Sequence, residues 1–147
     1  MKFLMKTFLP LVLLFVLPIM AEAEEGVHKL VLQVSDNDPS KMNAALNVAA
    51  NVSRHYSSLG EEVDIKIVAF NAGLHMLRPD TSPVAKRISN FSLSMPNVVF
   101  QACGNTISSM KRKSGKDVPV FEFAKVVPAG VVTIMELDAK GYILVRP

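Results

Sequence analysis

Apolar residues follow two periods along this chain, one typical of buried strands and one typical of amphipathic helices. The run HKLVLQV at 28–34 predicts a buried strand. Asp38 and Pro39 then predict a helix start, with the aspartate as N-cap and the proline in the first turn, and Gly60 predicts the helix end. The apolar residues of this helix recur at a spacing of 3.6: Met42, Ala45, Leu46, Ala49, Tyr56 and Leu59. The run at 63–70 predicts a second strand, so the first unit is a βαβ with parallel strands.

The same alternation continues to the end of the chain. Leu74 to Leu77 predicts a short helical turn, and Ser82 with Pro83 repeats the signal for a helix start. The face of that helix is formed by Val84, Ile88 and Phe91. Further strands are predicted at 98–102, 125–128 and 142–146, and a short helix is predicted at 105–114, closed by Gly115.

The segment 130–140 is ambiguous, because its run of β-branched residues favours a strand by propensity. We predict a helix, because apolar and polar positions keep helical spacing and Lys140-Gly141 is typical of a helix end. The positions that keep this helical spacing are Val131, Ile134, Met135 and Asp138.

Alternation of strands and helices predicts an α/β domain of three layers with a mostly parallel sheet. The carboxyl ends of parallel strands lie at one edge, where ligands and reactive groups collect. The loops expected at that edge are 35–38, 71–73, 103–106 and 128–130.

Cys103 is the only cysteine of the chain, and it follows a strand and precedes a helix. A helix N-terminus carries unpaired N–H groups and a partial positive charge, which favour a thiolate. Cysteine is also a common buried filler residue. The sequence therefore leaves a reactive and a structural cysteine open.

The N-terminus predicts a cleavable signal peptide over residues 1–23. Lys2 and Lys6 precede an apolar stretch at 8–20, and Ala21-Glu22-Ala23 matches a signal-peptidase site. Residues 24–147 would then form one domain, periplasmic or secreted, with no membrane attachment after cleavage.

The whole chain carries a net charge of only +3, which does not suggest a nucleic-acid partner. A single cysteine offers no internal disulfide, so oligomerisation is expected to assist the core.

Several segments resemble the DsrE/DsrF-like sulfur-relay superfamily, most closely its small exported branch. They are DP at 38–39, ALN at 45–47, FNAGL at 70–74, SPVA at 82–85, CGNT at 103–106, VPAGV at 127–131, EL at 136–137 and GY at 141–142. The resemblance covers about residues 28–147, and the CGNT segment is its most specific part.

The resemblance implies a flavodoxin-like fold of about five strands that assembles as a dimer, trimer or hexamer. It also implies that Cys103 accepts sulfur as a persulfide and passes it on, with a sulfur-donor or thiol protein as partner. We expect the loop residues beside it to bind the substrate: Gly104, Asn105, Thr106, Asn71 and Gly73. The alternative is a non-catalytic oligomeric binding or assembly module in which Cys103 is structural.

Other constellations are weaker. His75 is expected at the same edge as Cys103 and could lower the pKa of the thiol if it reached the sulfur. The three histidines have no metal-site spacing, and Gly104 and Gly130 stand alone in their turns, so we expect neither a metal nor a nucleotide cofactor. Asn43, Asn47 and Asn51 form a row on the first helix, predicted to be either solvated or a hydrogen-bonding strip between subunits.

Overall fold

Strands and helices alternate along the described part of the chain. The computed structural model describes residues 26–147, and the signal peptide predicted at 1–23 lies outside the described residues. The elements are β1 (His28–Val34), α1 (Pro39–Leu59), β2 (Val63–Ala69), a 3₁₀ helix (Asn71–Leu77), α2 (Ala85–Ser94), β3 (Val98–Cys103), α3 (Gly104–Ser114), β4 (Lys125–Val127), α4 (Gly130–Asp138) and β5 (Ile143–Val145). Each predicted strand and helix is therefore present, with ends shifted by a few residues.

The five strands form one sheet in the order β4-β3-β2-β1-β5. All four neighbouring pairs are parallel. The pairing of β1 with β2 is the longest, running from His28 beside Val63 to Val34 beside Ala69. The edge strands β4 and β5 have three residues each. The fold is thus the predicted three-layer α/β arrangement with a parallel, flavodoxin-like sheet.

The strand order decides which face of the sheet each helix covers. From β1 to β4 the chain moves one strand at a time in the same direction, and residues of α1, α2 and α3 pack against a single core on one face. To form β5 the chain returns to the far side of β1, so α4 crosses the opposite face. This follows from right-handed crossovers, which change face when the direction of travel reverses. On that second face Ile134 and Leu137 of α4 pack with Val31 and Val68 of the sheet.

Helix α1 begins and ends as its sequence predicts. The Asp38 carboxylate accepts a hydrogen bond from the Ser40 backbone N–H at 2.8 Å, and Pro39 occupies the first turn. Gly60 adopts a left-handed conformation with φ of 74° and caps the C-terminus. Leu59 keeps the apolar spacing of the helix but is exposed, as are all of residues 57–60 at this end.

Helix α4 is present as predicted, but its helical spacing of apolar residues does not coincide with its buried face. Ile134 is buried, but Val131 and Met135 are 54% and 66% exposed, and the second buried side chain is Leu137. Helix α4 is the only helix against its face of the sheet in the described residues, so no neighbouring helix covers its flanks. Its apolar residues therefore divide between a narrow buried line and an exposed surface.

The start of α2 lies later than predicted. The helix begins at Ala85, and Val84, which provides no side-chain cap, precedes it. The Ser82 hydroxyl instead donates a hydrogen bond to the Met76 carbonyl at 2.7 Å and accepts one from the Val84 N–H at 3.3 Å. Ser82 therefore fixes the preceding loop rather than the helix terminus.

Two members of the asparagine row join α1 to α2 within the chain. The Arg87 guanidinium donates to the side-chain oxygens of Asn43 and Asn47, each at 2.6 Å. The third residue of the row, Asn51, accepts a hydrogen bond from Arg54 of its own helix. Asn47 and Asn51 are exposed, whereas Asn43 is half-buried beside Arg87.

No helix among residues 26–147 combines the length and the apolar character that crossing a membrane requires.

Candidate functional site

The loops that follow the strands meet at the carboxyl edge of the sheet, as the parallel topology predicts. Backbone N–H groups connect the segments at this edge: the Phe70 N–H donates to the Val34 carbonyl at 3.1 Å, the Asn71 N–H to the Thr106 hydroxyl at 3.0 Å, and the Asn105 N–H to the Pro128 carbonyl at 3.1 Å. This edge is therefore a hydrogen-bonded platform, and Cys103 lies within it.

Cys103 lies between two helix N-termini. It is the last residue of β3 and the N-cap of α3, which places its sulfur beside the first turn of that helix. From the opposite face, the N–H of Gly130, the first residue of α4, donates to Cys103 Sγ at 3.2 Å. The first N–H groups of both helices have no acceptor within their own helix, and both helix ends carry a partial positive charge, so both stabilise a negative charge on the sulfur.

These surroundings act in opposite directions on the pKa of the Cys103 thiol. Burial raises the pKa, because the side chain is only 5% exposed and a buried thiolate loses hydration. Hydrogen-bond donors lower it: the Thr106 hydroxyl first, then the backbone N–H groups of Gly130, Thr106 and Asn105. The donors outweigh burial, and the pKa of Cys103 lies below its usual value.

Thr106 and Asn71 support the sulfur from the side of the 3₁₀ helix. Thr106 is buried, and its hydroxyl oxygen accepts the Asn71 N–H. That bond leaves the hydroxyl hydrogen available to a second acceptor. Asn71 has φ of 49°, the only positive φ of a non-glycine residue in the described chain. A strained backbone at this position is consistent with a functional loop.

Gly73 and Gly104 have a structural role at this edge. A Cβ at Gly73 would lie 2.2 Å from the Val34 carbonyl oxygen, so only glycine lets the loop after β2 lie against the end of β1. A Cβ at Gly104 would lie 3.1 Å from the Val127 carbonyl oxygen. Neither glycine lines the cavity beside Cys103, whereas Asn71, Asn105 and Thr106 do.

An open cavity of about 780 Å³ gives access to the sulfur. Its lining residues are Phe70, Asn71, Ala72, His75, Cys103, Asn105, Thr106, Ser109, Met110, Lys113, Ala129, Gly130, Val131 and Val132. They include the basic side chain of Lys113 and no carboxylate. The ionisable side chains of the lining are therefore Lys113, His75 and Cys103, and the thiolate of Cys103 is the one group among them that can carry a negative charge.

His75 lines the same cavity, but it is engaged elsewhere. Its Nδ1 forms a hydrogen bond with the Thr81 hydroxyl at 2.8 Å. Within residues 26–147 no hydrogen bond joins His75 to Cys103, and the groups that lower the thiol pKa do not include this imidazole. The same residues contain no cluster of three or more histidine, cysteine, aspartate or glutamate side chains suited to a metal.

No family model matches the chain, and no curated protein matches it. Among solved structures it is similar to a protein of unknown function, MTH1491, from Methanobacterium thermoautotrophicum. The two share 30% sequence identity, the match covers 82% of this chain and 99% of the archaeal chain, and the TM-score is 0.64. The chain belongs to the family of this archaeal protein.

Sequence reasoning for this family member missed the residues that α4 brings to the site. Gly130 was expected at the same edge of the sheet, but nothing in the sequence places its N–H against the sulfur. Lys113 of α3 and Val131 of α4 line the cavity, and the sequence pattern does not place either of them there. The available signal was spacing: Lys113 follows Cys103 by about three helical turns, and one glycine opens each of the helices α3 and α4.

Proposed function

We propose that the protein is an exported sulfur carrier of the DsrE/DsrF-like type, with Cys103 as the residue that holds the sulfur. The Cys103 thiolate would attack the outer sulfur of a donor persulfide. The new S–S bond leaves a persulfide on Cys103, and the donor is released as its thiolate, so no external oxidant or reductant is required.

One observation carries this proposal. A buried sulfur that only fills space needs no hydrogen-bond donors, yet Cys103 Sγ accepts the Gly130 N–H and opens onto a cavity without carboxylates. Donors that favour the thiolate provide the nucleophile, because the thiolate and not the thiol attacks sulfur. The basic side chain of Lys113 in the lining favours the approach of an anionic persulfide.

The wider setting is part of the same proposal. The predicted signal peptide would deliver the protein to the periplasm or outside the cell, where a low-pKa thiol oxidises unless a partner keeps it reduced. A donor or acceptor protein with its own thiol is therefore the expected partner. We also propose that the chain forms a homo-oligomer, as the resemblance implies.

The single cysteine makes a direct test of sulfur loading possible. Purified protein is treated with inorganic polysulfide, freed of excess reagent and analysed by intact mass spectrometry with and without a thiol reductant. We expect one additional sulfur atom per chain that the reductant removes, and no addition to the Cys103→Ser variant. Equal loading of the two proteins, or a thiol that reacts with alkylating reagents only after denaturation, would contradict the proposal.

A second candidate function is a non-catalytic assembly module. It is favoured by the burial of Cys103 and by exposed apolar side chains on α4, among them Val132 and Met135. In that case Cys103→Ser changes neither the oligomeric state nor any measured binding, and the native thiol does not respond to polysulfide. The loading experiment therefore separates the two functions.

A further inference from the structure

The N–H of Gly130 has no partner within its own helix. It is the first residue of α4, and the first N–H groups of an α-helix have no carbonyl oxygen available to them. Here the acceptor is Cys103 Sγ, 27 residues earlier in the chain, and the bond is buried. The interaction therefore links the start of α4 to the end of β3 through one donor and one sulfur.

The local packing holds this donor in place. A Cβ at position 130 would lie 3.2 Å from two carbons of the Phe70 side chain and 3.3 Å from the Cβ of Cys103. The preceding residue, Ala129, is extended, and its carbonyl oxygen accepts the Thr133 N–H at 2.9 Å as the first bond of the helix. Because glycine allows the close approach and α4 fixes the direction of the N–H, the donor points at Cys103 Sγ and not into open solvent.

We propose that the Gly130 N–H promotes release of sulfur by stabilising Cys103 as the leaving group. This inference rests on the proposed function. In the loaded state the negative charge lies on the outer sulfur. When an acceptor thiolate attacks that sulfur, the Sγ–S bond breaks, the electron pair moves to Sγ, and the acceptor leaves as a persulfide. The Gly130 N–H then donates to a full negative charge.

The direction of the effect follows from leaving-group chemistry. A thiol with a lower pKa leaves faster in exchange at sulfur. A donor aimed at Sγ stabilises the unloaded thiolate more than the loaded persulfide, whose charge is one atom further away. The site is therefore built to transfer sulfur to an acceptor rather than to store it.

The test deletes this N–H without adding atoms. Glycolic acid at position 130 converts the amide to an ester and removes the donor, and the same replacement at position 60 is the matched control. The Gly60 N–H bonds the Ser57 carbonyl at the C-terminus of α1 and so reports on general loss of stability. Both proteins are compared with wild type for alkylation rate against pH, and for release of polysulfide-loaded sulfur to a small-molecule thiol.

We expect the ester at position 130 to raise the midpoint of the alkylation profile by about one pH unit, the value of one hydrogen bond to a charged group. Release of the outer sulfur should slow by about threefold. The ester at position 60 should change neither quantity. An unchanged midpoint and release rate in the position 130 ester would overturn the inference.

A measurement on the unmodified protein guards against a variant that does not fold. In ¹⁵N-labelled wild type, the Gly130 amide proton should shift downfield with the same midpoint as alkylation, and Cys103→Ser should abolish the shift. An amide that does not respond to ionisation of the thiol contradicts the inference. If wild type takes up no sulfur, the proposed function fails, while the midpoint and the amide shift still decide whether Gly130 stabilises the thiolate.

Discussion

At the scale of single residues, Gly73 and Gly60 are glycines for different reasons. Gly73 lies where a Cβ would be 2.2 Å from the Val34 carbonyl oxygen, whereas Gly60 has open space around it and φ of 74°. Gly73→Ala forces two backbone segments apart and should lower the free energy of unfolding by about 3 kcal/mol. Gly60→Ala introduces only left-handed strain, with an expected loss of about 1 kcal/mol. Urea unfolding measures both, and equal losses would contradict this assignment.

Some features of the site depend on neighbouring residues in the sequence, and others depend on contacts between distant residues. Cys103 is predictable at a strand end because an apolar run precedes it and Gly104 and Asn105 follow. The N-cap position of Cys103 can be predicted because it depends on adjacent residues. The contact between Thr106 and the Asn71 N–H cannot be predicted in this way, because it joins positions 35 residues apart. No periodicity in the sequence records which loops become neighbours.

At the scale of elements, the contact between α1 and α2 depends on one side chain. Arg87 bonds Asn43 and Asn47, whereas Arg54 bonds only Asn51 of its own helix. Arg87→Ala should lower the free energy of unfolding by about 1 kcal/mol, because three partly exposed hydrogen bonds between the helices are lost, one of them to the Asn43 carbonyl. Arg54→Ala serves as the control and should change it by less than about 0.5 kcal/mol. A comparable effect of the two substitutions in urea unfolding would show that the contact does not stabilise the fold.

Helix ends and helix faces differ in how well the sequence predicts them. The cap at Asp38 and the C-terminal Gly60 depend on local backbone chemistry and are confirmed. The buried face of α4 depends on its neighbours: Val131 and Met135 keep the helical spacing but are exposed, because α4 meets the sheet along a narrow line. Spacing alone identifies a helix but does not give the width of the surface that its neighbours cover.

At the scale of the whole molecule, the strand order decides the chemistry at Cys103. Alternating strands and helices predict a parallel sheet, and that prediction is confirmed. They do not reveal that β5 pairs with β1. Because it does, α4 crosses the opposite face, and its first residue, Gly130, reaches the sulfur. The second helix terminus at the site is thus a consequence of topology, which the sequence pattern leaves open.

The lowered pKa of Cys103 also makes the stability of the protein depend on pH. Since the folded state holds the thiolate more strongly than the unfolded chain does, the unfolded chain binds more protons between the folded-state pKa and the usual value of about 8.5. The free energy of unfolding of wild type relative to Cys103→Ser should therefore rise with pH through that interval and be constant above it. The gain is lost as pH falls through the folded-state pKa.

Urea unfolding of both proteins at a series of pH values checks this, because the other titrating groups are common to both and cancel in the difference. A difference that is flat from neutral to alkaline pH would mean that the fold does not favour the thiolate.

The three-residue edge strands have a consequence for how this molecule meets others. An exposed strand recruits foreign strands through its unpaired N–H and C=O groups, and short edges offer few of them. With β4 and β5 limited to Lys125–Val127 and Ile143–Val145, the sheet is poorly suited to growth at either side. Copies of the chain that associate would do so through side chains on helices and loops. Short edge strands therefore disfavour fibrous aggregation of this protein by strand addition.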